Sequence, residues 1–450
     1  MAEIAERTGS FLEGFDAFLR SAASRSPERL QAMRRSAIDR LASTGFPSKR
    51  DEEWKYTNIS PVLERVFAPV ITSQGNGVAR RDVDRFTFGA VAWHTLVFID
   101  GHFSRELSTL HPLHDGVIIG SLAETIDRQF EAIEPYLARV TPHDTDAFTA
   151  LNTAFLRDGG FVFVPDAVAI ESPVHLLYVA TGGTGAHMVH PRNLIVAREN
   201  SAVTVVESFV RISDGVCFTN PVTEIVMGPH ASVEHYKLQD ESPDAYHVGS
   251  IHSRQGRDSV YTSICVSLGA ALSRHNIVST LDGKGAECTL NGLFTATGTR
   301  HVDVHTTIDH LQPNCSSREV YKGILDGRSH GVFNGKIIVR PDAQKSDARQ
   351  TNKNLLLDGR ARINTKPQLE IFANDVKCTH GATVGRLEAE SLFYMRSRGI
   401  GEQTARAILT KAFASEIVDF IKPDPIRAHL DSVLHEQIEH MGEAMIPGGA

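Results

Sequence analysis

The hydrophobic pattern changes character twice along the chain. Near the N-terminus, Leu30, Met33, Ala37, Ile38 and Leu41 recur at helical spacing. Ser26-Pro27-Glu28 before them supplies a cap, a first-turn proline and a first-turn acid, and Gly45 ends the pattern. An earlier helix is expected around residues 11–20. Residues 46–57 read as a charged, aromatic-bearing loop and residues 72–82 as a flexible connection. Leu96-Val-Phe-Ile-Asp-Gly101 reads as a short strand and turn, and residues 121–157 as helical again.

From about residue 161 to residue 383, short apolar or alternating runs are punctuated by Gly, Asp, Asn and Pro. Examples are Val168-Ala-Ile, Leu176-Leu-Tyr-Val, Ala202-Val-Thr-Val-Val, Ser232-Val-Glu-His-Tyr, Tyr261-Thr-Ser-Ile-Cys-Val and Lys336-Ile-Ile-Val. No long helical pattern interrupts them. The region is too long for one ordinary barrel or sandwich, and a solenoid of stacked coils fits it better. Asp-Gly turns recur unevenly at 282, 326 and 358, and no hexapeptide repeat is present. The expected fold is therefore mainly β, with a right-handed parallel β-helix core between N-terminal and C-terminal helical regions. The expected divisions are a helix-rich region at 1–160, a β-helix core at 161–385 and a helical domain at 386–450.

In that last part Ala405, Ile408, Leu409, Ala412, Phe413, Ile417, Phe420 and Ile421 form an amphipathic stripe. Lys422-Pro-Asp-Pro stops it. Asp424 and Pro425 open another helix, with Ile426, Leu430, Val433, Leu434, Ile438 and Met441 on one face. Such helices either cap the last coil or dock a partner.

Composition narrows the function classes. The chain has 450 residues, 41% hydrophobic and 22% charged, enough for a large core. A net charge of −8 speaks against a general nucleic-acid binder. The five cysteines (217, 265, 288, 315 and 378) form no CxxC, and free thiols suit a reducing cytosol. The first residues lack the basic and apolar segments of a signal peptide, and no apolar run is long enough to span a membrane. A cytoplasmic location is expected. No Walker-type loop, GxSxG, HExxH or GxGxxG is present, so no nucleotide site or hydrolase motif is expected.

Two ligand-like constellations stand out. Cys378 and His380 are two apart, so on a strand they share a face and could hold a soft or borderline metal. Two ligands do not close a tetrahedral site, and on these residues alone the pair reads sooner as a packed thiol beside a surface imidazole. His301, Asp303 and His305 would share one face of another strand. They read either as a metal site or as the polar outer face of a strand whose Val302 and Val304 point inward. Gly399-Ile-Gly401 resembles a helix–hairpin–helix DNA element, but residues 386–450 are net acidic, which excludes phosphate binding there. Residues 300–385 are modestly basic, as a solvated face or a patch for an acidic partner would be.

One family resemblance runs through residues 310–401. It is carried by His310-Leu-Gln-Pro-Asn-Cys-Ser-Ser-Arg-Glu, Gly331-Val-Phe-Asn-Gly-Lys336, Pro341-Asp-Ala-Gln-Lys-Ser-Asp-Ala-Arg-Gln350, Thr365-Lys-Pro-Gln-Leu-Glu370, Asn374-Asp-Val-Lys-Cys-Thr-His-Gly381 and Leu392-Phe-Tyr-Met-Arg-Ser-Arg-Gly-Ile400. These strongly resemble the SufB/SufD family of the SUF iron–sulfur cluster assembly system. Asp51-Glu-Glu-Trp-Lys-Tyr56 and Val97-Phe-Ile-Asp-Gly-His-Phe103 extend the likeness. Gly381 stands where SufB-type chains carry a Glu, and the five cysteines do not match the sulfur-handling set of those chains. The resemblance is thus to the SufD branch. It implies a β-helix core paired with SufB, C-terminal helices that dock the ATPase SufC, and no catalysis by the chain itself. It also implies that His380 and Cys378 serve a nascent iron–sulfur cluster at the interface with SufB. A homodimer is the alternative pairing when SufB is absent. Two other classes stay open on the residues alone: a metal-binding β-helix protein using His301, Asp303 and His305, and a β-helix enzyme acting on polysaccharide.

Overall fold

The strand His301–His310 shows the rule that builds the molecule. Val302, Val304, Thr306, Ile308 and His310 alternate with outward positions and are buried in the interior. Its neighbours repeat the pattern. Each lies parallel and in register, with Leu272 opposite His301 and His301 opposite His330. From Val222–Met227 onward consecutive strands alternate between two sheets, of twelve and ten strands among the described residues, wound into a β-solenoid of about seven turns. The computed structural model describes residues 2–21, 26–71, 77–182 and 185–443.

A repeated corner keeps the coils aligned. Asn200, His230, Asp258, Asn314 and Lys345 each take a positive φ two residues before a strand of the ten-stranded sheet. Asn and Asp tolerate this region best, and at the equivalent corner Gly285 takes it with no side-chain cost. Each corner amide then bonds to the coil above. Asn314 N–H donates to Gln344 O at 2.9 Å, and Asp258 N–H donates to Lys284 O at 2.9 Å.

Helices cover the two flat faces. Phe11, Phe15, Phe18, Leu41 and Phe148 pack with Phe218, Tyr246 and Leu272 of the twelve-stranded sheet. On the other side Ile417, Ile421, Leu430 and Leu434 pack against Tyr236, Ile264, Leu293 and Ile324. Lys322 reinforces this contact: its Nζ donates to Phe413 O at 2.9 Å and pairs with Glu416. The helical hairpin Glu402–Val418 and Asp424–Glu443 thus lies along the solenoid rather than over its end.

Several local expectations shift. The first helix is Ala2–Ser21, longer than residues 11–20. The next is Glu28–Thr44, with Pro27 in the capping position and no side-chain capping bond. Ser26 instead accepts from Arg34 Nη1 at 2.9 Å. Of residues 72–82, positions 72–76 lie outside the described residues. Val168-Ala-Ile forms only a bridge at Ala169, since Pro165 and Pro173 bracket it. The short strand around Leu96 is His94–Ile99, paired in parallel with Val174–Ala180. Ile408 and Phe420, expected on the buried stripe, are 46% and 47% exposed. Among the described residues, no helix is long and apolar enough to cross a membrane.

Candidate functional site

The last strand of the ten-stranded sheet, Lys377–Gly385, carries both Cys378 and His380. It pairs in register with Asp347–Leu356 on one side only. Cys378 lies beside Ala348, and His380 beside Gln350. Ala348 and Gln350 are buried and inward-facing, so Cys378 and His380 face the solenoid interior at its open end. The pairing runs without a register shift through Gly381, so the two side chains keep to one face of the strand.

Their environments nevertheless differ. Cys378 is half-buried and packs with Val376 against the interior core. Burial pushes its thiol up, the Ala348 backbone draws it down less, and the Asp347 carboxylate adds to the rise. The thiol is therefore protonated at neutral pH. His380 is exposed. The other four cysteines are buried and free. Burial raises the Cys265 and Cys288 thiols to about 11 and about 12, which leaves them unreactive.

Beneath His380 the same inward column continues with Gln350 and then Glu319. Gln350 Nε2 donates to Glu319 Oε2 at 2.7 Å. Burial raises the Glu319 carboxyl to about 7, with bonds from Thr306 and Gln350 pulling the other way. Sequence spacing did not reveal this column, because Gln350 and Glu319 are 31 residues apart and only coil register joins them.

Among the described residues, no strand pairs with the outer edges of Arg362–Ile371 and Lys377–Gly385. Lys377 N–H turns back to Ser346 O at 2.8 Å. By the alternation of a parallel ladder, the amides of Cys378, His380, Ala382 and Val384 face the free edge. Val384 on that strand is 48% exposed, and Phe372, Phe393 and Tyr394, close to it in sequence, are 58%, 73% and 59% exposed. A long open edge with such neighbours is a template for another chain. A separate opening of about 540 Å³ lies between the C-terminal helices, where apolar Leu357, Ala407, Ile408, Ile438 and Met441 are mixed with polar groups such as Arg406, Lys411 and Glu439.

His301, Asp303 and His305 do share one face, with Val302 and Val304 inward. They are occupied by the N-terminal segment at Glu52–Trp54. Thr57 bonds both His301 and Asp303. Arg274 Nη1 donates to Asp303 Oδ2 at 2.6 Å, and its guanidinium stacks 3.7 Å above Trp54. His305 Nε2 lies 3.0 Å from Asp303 Oδ1, and its Nδ1 lies 3.2 Å from Glu53 Oε2. The trio is therefore a clamp for residues 52–57. Among the described residues, no group of three or more His, Cys, Asp or Glu is arranged to hold a metal ion.

Comparison with known proteins covers nearly the whole chain. Residues 178–413 match the family described as SUF system FeS cluster assembly, SufBD core domain. Residues 5–176 match the SufBD protein N-terminal region. An iron–sulfur cluster assembly SufBD family protein of Synechocystis is 37% identical over 86% of each chain. The iron–sulfur cluster assembly protein SufD of Escherichia coli is 29% identical over 100% of each chain. The protein of the same description in Bacillus subtilis is 26% identical over 74% of this chain and 77% of its own.

Proposed function

The chain belongs to the SufB/SufD family of the SUF iron–sulfur cluster assembly system, and on that premise we propose that it is the non-catalytic SufD-type scaffold of an assembly complex. In this reading its open solenoid end pairs with SufB, and its C-terminal helices dock the ATPase SufC. His380 and Cys378 serve a nascent iron–sulfur cluster between the two scaffolds. The setting is the cytoplasm, where free thiols persist.

One observation carries the reading. Among the described residues, the one cysteine outside the buried interior and a neighbouring exposed histidine lie together, facing the lumen, on a strand whose outer edge has no partner. A chain adding its own strand there would bring further ligands to the same mouth. Two ligands then suffice on this side, and the cluster is cargo passed onward rather than a resident group. A neutral imidazole binds iron and releases it readily, whereas a thiol must first lose its proton. The opening between the C-terminal helices, with Ile408 at its lip, supports a separate dock for the ATPase.

The test uses the free-edge amides. Ala382→Pro removes a donor that faces outward and no bond to Asp347–Leu356. It should abolish co-purification with SufB while leaving the circular dichroism spectrum unchanged. Undiminished pairing would overturn the end-to-end reading.

A further inference from the structure

Along the solenoid, arginines are matched to aspartates one coil away. Arg254 pairs with Asp282 at 2.6 Å, Arg340 with Asp309 at 2.8 Å, Arg318 with Asp347 at 3.0 Å and Arg211 with Asp240 at 3.2 Å. The partners in these four pairs are separated by 28, 31, 29 and 29 residues, which is one turn in each case. Each pair staples a coil to its neighbour.

The ladder is interrupted at the open end. Leu-Asp-Gly-Arg occurs at 325–328 and again at 357–360, as corner turns on successive coils. The repeat sets Arg328 and Arg360 at one corner of the stack, with Arg362 beginning the next strand. Arg360 folds back on Asp358 at 2.8 Å. Arg328 and Arg362 are exposed and form no ion pair among the described residues, while the exposed Arg386 helps to hold the Asp358 carboxyl low. Arg386 reaches the same corner: its guanidinium lies 3.6 Å from where a Cβ on Gly359 would stand. Asp326 is buried, and its carboxyl is held above the ordinary range mainly by that burial.

Arg328, Arg360 and Arg362 line a cleft of about 970 Å³ whose apolar side is Leu356, Ile363 and Val384. Ile363 and Val384 belong to the two terminal strands, so the cleft is continuous with the uncovered edge. Arg328 and Arg362 put two unpaired positive charges on one cleft, and the arginine fork matches a carboxylate in bidentate fashion. We propose that Arg328 and Arg362 are the unpaired half of the coil-to-coil ladder, and that the chain covering this end supplies the carboxylates. The acids then set which chain binds and in which register, while backbone pairing and the apolar patch hold it. This rests on the end-to-end reading above.

The experiment measures association of the full chain with SufB at low and high salt. Arg328→Glu with Arg362→Glu should weaken binding about tenfold or more at low salt and flatten its salt dependence. Arg328→Lys with Arg362→Lys should retain the salt dependence. Both sites are exposed, so circular dichroism should not change. Equal affinity and equal salt slope in the Glu variant would overturn the proposal. If Ala382→Pro still blocks association in that case, only the arginine role falls. If Ala382→Pro also has no effect, the pairing itself falls. Inorganic pyrophosphate is titrated into the isolated chain in parallel. Saturable heat that disappears in the Glu variant would assign the cleft to a small phosphate ligand and overturn the partner reading.

Discussion

Cys378 and His380 share one face of the last strand, yet only Cys378 packs against the solenoid core. The exposed imidazole can meet an incoming iron without reorganisation, and the half-buried thiol cannot. His380→Ala should lower cluster yield in the reconstituted complex by at least about tenfold, a loss that even an outer partner of a metal ligand can produce. Subunit association, followed by gel filtration, should be unchanged. Cys378→Ser should cost less. Normal yield from His380→Ala would remove the ligand role, and a larger loss from Cys378→Ser would reverse the order.

The C-terminal helices are both a cover and a candidate dock. Deleting residues 402–450 uncovers Tyr236, Ile264, Leu293 and Ile324, so the truncated chain should aggregate rather than keep a folded core. A point change separates the two roles. Ile408→Glu at an exposed site should weaken SufC binding by about 2 kcal/mol, with unchanged melting of the chain alone. Isothermal titration with SufC checks it, and wild-type affinity would move the dock elsewhere.

Arg192 and Glu224 form a fully buried pair at 2.7 Å. Glu224 also accepts from the backbone N–H groups of Ala138, Val140 and Thr141, which ties the N-terminal region to the solenoid. Glu224→Ala leaves the guanidinium charged, buried and unpaired. It should destabilise the chain by ~3–5 kcal/mol in urea titration. Partial loss of the helix signal at lower urea than the strand signal would show that this tie is local.

The clamp of Glu53 on His305 makes stability depend on pH at both ends. The His305 hydrogen bond draws Glu53 down to about 2 against burial, helped by the charges of His305 and Lys336. Burial is the largest influence on His305 and opposes its charge, but the Asp303 charge together with the hydrogen bonds to Asp303 and Glu53 raises the group overall. The lowered Glu53 contributes above its ordinary carboxyl range and is lost on acidification. The raised His305 contributes fully below about 6.5 and is lost as pH rises through its folded value. The melting difference between wild type and Glu53→Gln should therefore peak near about pH 5.5 and shrink at about pH 3 and about pH 9. A difference that is flat across this range would show that the ion pair adds nothing.

Two-residue alternation, the absence of helical spacing over residues 161–383 and the amphipathic stripes after residue 402 carried the architecture in the sequence itself. These are local properties, and a strand or helix expresses them whatever it packs against. The shared face of Cys378 and His380 followed from the same period of two. Coil register was invisible, because the column His380–Gln350–Glu319 and the arginine–aspartate staples join residues a full turn apart, and turns here vary in length. The clamp on His301, Asp303 and His305 was equally hidden, since Glu53 and His305 lie 252 residues apart. That contact decided that three ligand-like side chains hold a loop. Where the helices lie was also a tertiary matter: an apolar stripe fixes that a face is buried, not what buries it. By lying along the ten-stranded sheet they leave the terminal edge bare, and that bare edge is what turns a surface histidine into a candidate ligand.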